Sequence, residues 1–201
     1  MKLRYLALGD SYTIGESVEI SQRWPVQLVT RLRQEGLSLA DPEIIAKTGW
    51  TTDDLLEAIN KADPVGPFNL VSLLIGVNNQ YRGRSDDDYR RGFIALLEKS
   101  IEMAGTNPAK VVVLSIPDWG VTPFARGRDN AKIAVEIDSF NAIAKEETER
   151  AGSTFVDITP VSRRAAQELR LLAGDGLHPS DSMYAEWVAL ALEPARKALR
   201  H

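Results

Sequence analysis

Two short segments near opposite ends of the chain carry the residue types of acyl-transfer chemistry: a hydroxyl, an imidazole and a carboxylate. Ser11 follows an apolar run close to the amino terminus, and Asp175 stands shortly before His178 in a glycine-rich segment. The chain has 2 histidines, and the other one, His201, is its last residue. A carboxylate in a tight turn can bind one imidazole nitrogen and leave the other free to accept a proton. His178 is therefore the candidate base and Asp175 the carboxylate that orients it, with Ser11 as the candidate nucleophile.

Each of these residues also has a structural interpretation. A serine between a strand and a helix often caps the helix, and a lone histidine often makes only a structural contact. The Gly-x-Ser-x-Gly pattern of ordinary α/β-hydrolases is absent from the sequence, which argues against that class. Asp10, which directly precedes Ser11, is expected to hold its loop by accepting backbone N–H groups.

A nucleophilic serine also requires hydrogen-bond donors for the oxyanion that forms when it attacks a carbonyl carbon. The candidates are the backbone N–H groups of Ser11 and Gly49 and the side-chain amide of Asn78. Glycine allows close approach of the backbone to a ligand, and asparagine offers two donors. A turn glycine and a turn cap are the structural alternatives. The candidates can act together only if the fold brings their loops to one place.

The order of predicted elements provides such a place. Short apolar runs alternate with helical patterns, which predicts a parallel sheet covered by helices, a three-layer α/β/α sandwich. We predict strands at residues 3–8, 43–46, 70–75, 110–116 and 154–156, and helices at 21–34, 51–59, 86–101, 131–151 and 182–199. Sites in such sheets lie outside the carboxyl ends of the strands. Ser11, Gly49 and Asn78 all follow predicted strands, and His178 precedes the last helix.

Composition narrows the class of protein. The 201 residues suit one domain spanning residues 1–201, and the absence of cysteine excludes disulfides and thiolate chemistry. A net charge of −4 without a basic run argues against nucleic acid as a partner. The longest apolar run, residues 70–75, is too short to insert in a membrane, and no leader pattern precedes Gly9. We therefore expect a cytoplasmic protein with a small-molecule substrate.

No pattern of residues in the sequence indicates a metal site. The three aspartates at 86–88 follow Ser85, and acidic residues in the first turn of a helix complement its dipole. We interpret them as a helix start and not as a calcium site, and we expect no metal and no cofactor.

Four short blocks together resemble the SGNH hydrolases, also called the GDSL esterase/lipase family. They occur in the family's order and span nearly the whole chain: Gly9–Tyr12, Thr48–Trp50, Gly76–Asn79 and Asp175–Pro179. The resemblance implies a flavodoxin-like fold with a five-stranded parallel sheet in the order 2-1-3-4-5, and ester or thioester hydrolysis without a metal. One departure is Asn79, which stands where the family often has aspartate.

The resemblance also implies a role for each candidate residue. Ser11 matches the nucleophile, His178 the base and Asp175 its orienting partner, while Ser11, Gly49 and Asn78 match the oxyanion hole. The expected activity is that of a serine esterase that forms an acyl-enzyme, with short-chain acyl or acetyl esters as substrates. Thioesters and lysophospholipids stay open as substrates. An acyltransferase and a non-catalytic binding module stay open as alternative functions.

Aromatic residues near the strand ends could form the substrate pocket. We predict that some of them line it, the alternative being that they only cover the edge of the sheet. The candidates are Trp50, Tyr81, Trp119 and Phe124. The segment 119–129, which is rich in glycine and proline, could be a mobile flap over the site. The sequence does not indicate an oligomeric state.

Overall fold

Five short strands form one parallel sheet in the computed structural model, which describes residues 2–201. The strands are β1 (Tyr5–Gly9), β2 (Glu43–Ala46), β3 (Leu70–Leu74), β4 (Val111–Leu114) and β5 (Thr154–Val156). Their order is β2-β1-β3-β4-β5, and every neighbouring pair is parallel. The three inner strands are buried along their whole length, as expected when helices cover both faces. The predicted sheet and its order are confirmed.

Eight α-helices connect and cover the strands. They are α1 (Ser11–Ile14), α2 (Trp24–Gln34), α3 (Thr52–Ala62), α4 (Val77–Tyr81), α5 (Asp86–Met103), α6 (Asn130–Arg150), α7 (Thr159–Arg163) and α8 (Asp181–Ala198). Within residues 2–201, none of the helices is both long and apolar enough to cross a membrane.

The strand order determines which helices share a face. The connection from β1 to β2 runs along the sheet in the opposite direction to the three later connections. Because parallel crossovers are right-handed, its helix α2 lies on the face opposite to α3, α5 and α6. The packing agrees with this division, since α2 packs against α8 while α5 packs against both α3 and α6. The protein is thus the three-layer sandwich that the alternation predicted.

Several boundaries differ from the sequence prediction for identifiable reasons. Strand β1 begins at Tyr5 and not at residue 3, because Leu3 forms only an isolated bridge with Leu39. Helix α2 begins at Trp24 and not at residue 21, because Pro25 has no N–H and fits only the first turn of a helix. Helix α4 was expected to be a loop, and its five residues are too few to show helical periodicity.

The core has large buried aromatic residues on each face of the sheet. On one face, Trp24 of α2 and Trp187 of α8 are fully buried. On the other face, the rings of Tyr89 and Phe140 stack at 4.2 Å between centroids and join α5 to α6. Burial of such rings stabilises the fold strongly, and it fixes both helical layers against the sheet that carries the site.

Gly76 joins the end of β3 to α4 and permits the close approach of α5. Its φ angle is +133°, which side-chain-bearing residues rarely adopt. A Cβ atom at this position would lie 2.6 Å from Cε2 of Tyr89. The backbone that leads into α4 therefore requires glycine for two separate reasons.

We predict that Gly76→Ala lowers the free energy of unfolding by about 3 kcal/mol, from backbone strain and overpacking together. Gly36→Ala is the matched control, since its φ is +91° but its Cβ would meet no heavy atom within 4 Å. That variant should lose only the strain contribution, about 1 kcal/mol. Urea denaturation measures both values, and equal losses would contradict the role of the Tyr89 contact.

Candidate active site

Ser11 is the first residue of α1 and lies immediately beyond the end of β1. Asp10, and not Ser11, caps this helix: its side chain accepts the N–H of Tyr12 at 3.0 Å, and its carbonyl accepts the N–H of Ile14 at 2.9 Å. The expected loop-holding role of Asp10 is thereby confirmed. The Ser11 side chain is relieved of capping, although the residue is only 5% exposed. Its hydroxyl is therefore available to the pocket that it lines.

Asp175 and His178 form the expected close pair within one turn. The Oδ2 atom of Asp175 lies 2.6 Å from Nδ1 of His178, and Oδ1 accepts the backbone N–H groups of Leu177 and His178, each at 2.9 Å. A further bond to Oδ2 comes from the hydroxyl of Ser17 at 2.7 Å. The sequence offered no signal for that contact, because Ser17 is 158 residues away from Asp175 along the chain.

These contacts favour the carboxylate form of Asp175. Partial burial opposes ionisation, but the hydrogen bonds from the His178 ring, the His178 and Leu177 N–H groups and Ser17 outweigh it and lower the pKa of Asp175 to about 2. A carboxylate at Nδ1 favours the tautomer with a proton on that nitrogen. Nε2 of His178 is then the ring nitrogen that can accept a proton.

Ser11 and His178 line the same pocket. Among the hydrogen bonds of residues 2–201, none joins the Ser11 hydroxyl to the His178 ring. The contact between Asp175 and His178, in contrast, is already formed. Catalytic hydrogen bonds are often long without substrate and shorten in the substrate complex. The candidate base and its carboxylate partner are thus already paired, and the candidate nucleophile lines the same pocket.

Two backbone N–H groups in this pocket are free to bind an anion. The N–H of Ser11 at the start of α1 and the N–H of Gly49 donate to no other group in the part of the chain that the structure describes. Gly49 has a φ angle of +86°, and its carbonyl accepts a hydrogen bond from Arg82 at 2.6 Å. Unpaired N–H groups beside a nucleophile are what an oxyanion requires.

The side chain of Asn78 links the loops that follow the first three strands. Its Nδ2 donates to the carbonyl of Trp50 at 2.9 Å and contacts Oδ2 of Asp10 at 3.4 Å. The first bond is of ordinary length, whereas the second is long and correspondingly weak. The amide is therefore held firmly through one N–H, and its other N–H is weakly engaged.

The neighbouring Asn79 has a structural function. It is buried, its Oδ1 accepts the N–H of Thr52 at 3.0 Å, and its Nδ2 donates to the Thr52 hydroxyl at 2.8 Å. An ionised aspartate at this position would have no donor for the hydroxyl. The amide is therefore suited to both contacts, and it ties α4 to the start of α3.

Asp10 lies fully buried behind Ser11 and Asn78. Burial raises the pKa of Asp10 to about 7, and the N–H groups of Tyr12 and of Asp10 itself only partly offset that effect. Burial thus disfavours the ionised form of Asp10, whereas the hydrogen bonds of Asp175 favour its ionised form.

The pocket has a volume of about 180 Å³ and a largely apolar wall. Three of the predicted aromatic residues line it, and their rings lie beside one another. The ring centroids of Tyr81 and Trp119 are 5.3 Å apart, and those of Trp119 and Phe124 are 6.0 Å apart. Trp50 lies outside this wall and contributes its carbonyl to Asn78 instead. All the remaining lining residues belong to the four motif blocks. Besides the candidate site residues they are four positions to which the sequence assigned no role: Tyr12, Thr48, Val77 and Leu177.

The segment 119–129 is anchored at two points near its start and middle, and Arg128 near its end donates a hydrogen bond of 3.0 Å to the Tyr81 hydroxyl. Trp119 is buried, and its Nε1 donates to Oε1 of Gln80 at 2.7 Å. Ala125 is also buried, and the N–H of Phe124 bonds to the carbonyl of Gly176 at 3.3 Å. Residues 126–129 are exposed. Movement of the whole segment as a flap would have to release both anchors.

The described residues contain no group of three or more histidine, aspartate or glutamate side chains that could hold a metal ion. The aspartates at 86–88 form the first turn of α5, which Ser85 caps by accepting the N–H of Asp88. Their position is the helix start that the sequence predicted.

Comparison with known proteins places this architecture in a family. The sequence model of the GDSL-like Lipase/Acylhydrolase family matches residues 7–186. No curated relative matches the chain.

Solved structures of similar fold cover the whole chain at low identity. The crystal structure of TesA has 18% identity and a TM-score of 0.75, with 98% of this chain and 99% of that chain covered. Axe2, an acetylxylan esterase from Geobacillus stearothermophilus, has 19% identity and a TM-score of 0.71, with 97% and 96% covered. A lipase/acylhydrolase from Enterococcus faecalis has 23% identity and a TM-score of 0.68, with 98% and 97% covered. These likenesses show a shared fold.

The buried Asp10 predicts an unusual pH dependence of stability. Between its unfolded pKa near 3.8 and its folded pKa of about 7, the folded protein keeps a proton that the unfolded chain has lost. The contribution of Asp10 to the free energy of unfolding is therefore complete below the unfolded pKa and is lost as the pH rises through the folded pKa. The side chain in Asp10→Asn does not titrate. The free energy of unfolding of this variant, relative to that of wild type, should therefore rise from pH 5 to pH 7 by up to about 1.4 kcal/mol per pH unit.

Urea denaturation at several pH values measures this difference. Asp87→Asn, at an exposed position of α5, controls for the general effect of removing a carboxylate. If the difference between wild type and Asp10→Asn were the same at every pH, Asp10 would be ionised in the folded protein throughout.

Proposed function

Because the chain belongs to the GDSL-like Lipase/Acylhydrolase family, we propose that it hydrolyses short-chain acyl esters with Ser11 as the nucleophile, His178 as the base and Asp175 as the orienting acid. At the coarser level the chain is a carboxylic ester hydrolase. The observation that carries the finer proposal is the 2.6 Å contact between Asp175 and His178 at the edge of the pocket that Ser11 lines.

In the acylation step, the Oγ atom of Ser11 attacks the carbonyl carbon of the ester while Nε2 of His178 takes the hydroxyl proton. Asp175 holds the Nδ1 proton and stabilises the imidazolium that forms. The bond from the carbonyl carbon to the alcohol oxygen then breaks, and His178 gives its proton to the departing alcohol. The products of this step are the free alcohol and an ester between the acyl group and Ser11.

Deacylation repeats the sequence with water as the nucleophile. His178 takes a proton from water as the water oxygen attacks the acyl carbon, and it returns that proton to Oγ of Ser11 when the acyl–Ser11 bond breaks. The acid leaves and the enzyme is regenerated. The cycle consumes one ester and one water, releases the alcohol and the acid, and restores every side chain of the site.

The oxyanion of both steps would be held by three donors. The unpaired N–H groups of Ser11 and Gly49 are two of them. Asn78 would supply the third by exchanging its long 3.4 Å contact with Asp10 for the oxyanion, while its 2.9 Å bond to Trp50 keeps the amide oriented. A donor held in place before the reaction requires little reorganisation when charge develops.

The size and lining of the pocket favour a short acyl group. Its volume of about 180 Å³ is close to that of apolar cavities of about 150 Å³ that accept a benzene ring. An aromatic wall stabilises an apolar chain and offers few hydrogen bonds to a polar one. Acetyl to about hexanoyl esters would fit this space, and longer chains would extend into solvent.

A fluorophosphonate should form a single covalent adduct on Ser11, detected by intact and peptide mass spectrometry. The phosphonyl group mimics the tetrahedral oxyanion, so it reports both the nucleophile and the donors around it. His178→Ala should slow labelling by about 10²–10⁴-fold through loss of the general base. Ser139→Ala, which alters a serine bonded to Asp86 outside the site, should label at the wild-type rate. No adduct, or an adduct elsewhere, would overturn the proposal.

A series of p-nitrophenyl esters of increasing acyl length should show a sharp optimum at short chains. Phe124→Ala removes part of the pocket wall and should move the optimum to longer chains. The matched control is Leu169→Ala, because Leu169 is also a large exposed apolar residue, 63% exposed against 46% for Phe124, but lies outside the pocket. Equal activity at all lengths in wild type would argue against a defined acyl pocket.

A further inference from the structure

Ser17 is the only residue outside the turn of residues 175–178 that donates a hydrogen bond to Asp175 in the part of the chain that the structure describes. Its hydroxyl lies 2.7 Å from Oδ2, the same oxygen that contacts Nδ1 of His178 at 2.6 Å. The donors to Oδ1 are backbone N–H groups of the turn itself. Ser17 therefore shares with His178 the oxygen that orients the imidazole.

Ser17 also connects the two halves of the site. It lies shortly after the end of α1 at Ile14, and the carbonyl of Ser11 accepts the N–H groups of Gly15 and Glu16, each at 3.0 Å. The turn that begins at Ser11 thus ends at Glu16, directly before the residue that binds Asp175. A displacement of Asp175 relative to Ser11 would have to break or stretch this contact.

The backbone of Ser17 is held in an unfavourable conformation. Its φ angle is +64°, a region in which residues other than glycine, asparagine and aspartate are uncommon and incur strain. The residue is exposed, so packing of its side chain does not offset this cost. The hydrogen bond to Asp175 is the one contact of its side chain that serine makes and glycine could not.

We propose that Ser17 is a positioning residue of the catalytic site, which fixes Oδ2 of Asp175 so that His178 is held with Nδ1 protonated and Nε2 directed to Ser11. The proposal rests on the proposed function. A carboxylate that lacks this donor can rotate about its Cβ–Cγ bond and weaken its bond to Nδ1. Ser17 is not among the residues that line the pocket, so its effect should fall on the chemical step and not on substrate binding.

The test compares Ser17→Gly with Ser17→Ala. Both variants lose the hydroxyl, but only glycine also relieves the backbone strain. For a short p-nitrophenyl ester, kcat should fall about tenfold in both, with KM unchanged, a loss typical of one hydrogen bond to a charged group. The unfolding midpoint of the glycine variant should nevertheless be the higher of the two. If kcat instead changed in parallel with stability, so that kcat of Ser17→Gly equalled or exceeded that of wild type, the role of Ser17 would be structural and the proposal would fail.

Two further variants sharpen the comparison. Ser17→Asn should recover part of kcat, because asparagine tolerates left-handed backbone and carries an N–H donor. The matched control is Ser139→Ala, because Ser139 donates a hydrogen bond of similar length, 2.6 Å, to Asp86 on the surface. That variant should keep wild-type kcat. Equal losses in Ser139→Ala and Ser17→Ala would overturn the proposal.

The state of the His178 ring can be observed directly, since the chain has 2 histidines and the other is the terminal His201. In protein labelled with ¹⁵N-histidine, the Nδ1 proton of His178 should exchange with solvent faster in Ser17→Gly than in wild type, because its acceptor is less firmly held. An unchanged exchange rate and tautomer in Ser17→Gly would contradict the positioning role.

Fluorophosphonate labelling separates this proposal from the proposed function. If Ser11 is labelled in neither wild type nor Ser17→Gly, the proposed function itself is wrong. If Ser11 is labelled in both at the same rate and kcat is also equal, only the role of Ser17 is overturned. Labelling of both, slower in Ser17→Gly by about tenfold, is the result that supports it.

Discussion

The shared register of the first three strands is the constraint on which the site depends. Gly9 of β1 pairs with Ala46 of β2 on one side and with Leu74 of β3 on the other, so the three strands end at one level. The loops that carry Ser11, Gly49 and Asn78 consequently leave the sheet side by side. Since β1 is buried on both faces, a shift of its register would expose apolar side chains or break contacts with both neighbours. The core therefore enforces the alignment that the proposed nucleophile and the proposed oxyanion donors require.

The contacts beneath the pocket help to maintain this alignment, but they require the burial of a carboxyl group that can ionise. Asp10 caps α1 and contacts Asn78, and it does so from a fully buried position that raises its pKa. Asp175, in contrast, is partly buried, accepts bonds from several donors, and has a lowered pKa. The two carboxyl groups thus differ in the way that their proposed roles require. Asp10 holds the backbone of α1, whereas Asp175 has to stay ionised beside the His178 imidazole in the proposed mechanism.

The sequence predicted those features that depend on neighbours along the chain. Buried strands appear as apolar runs, and the Asp175–His178 contact lies within one turn, so its residues could be paired without knowing the fold. Side-chain direction and distant contacts could not be predicted in this way. Trp50 was expected in the pocket wall but lies outside it, and the contact of Ser17 with Asp175 joins residues that only the tertiary structure brings together. The five-residue helix α4 shows no periodicity by which it could be recognised.

The relative position of the two halves of the proposed triad depends on a helix interface more than on hydrogen bonds between the three residues. Ser11 precedes α2 in the chain and His178 directly precedes α8, and these two helices pack against each other on one face of the sheet. The ring of Tyr12 continues this interface into the site, since it lies 5.1 Å from the His178 ring and 6.5 Å from that of Trp187. Because a packed interface resists small displacements, it can hold Ser11 and His178 facing each other without a direct hydrogen bond. The hydrogen bond from Ser17 to Asp175 then needs only to orient the Asp175 carboxylate.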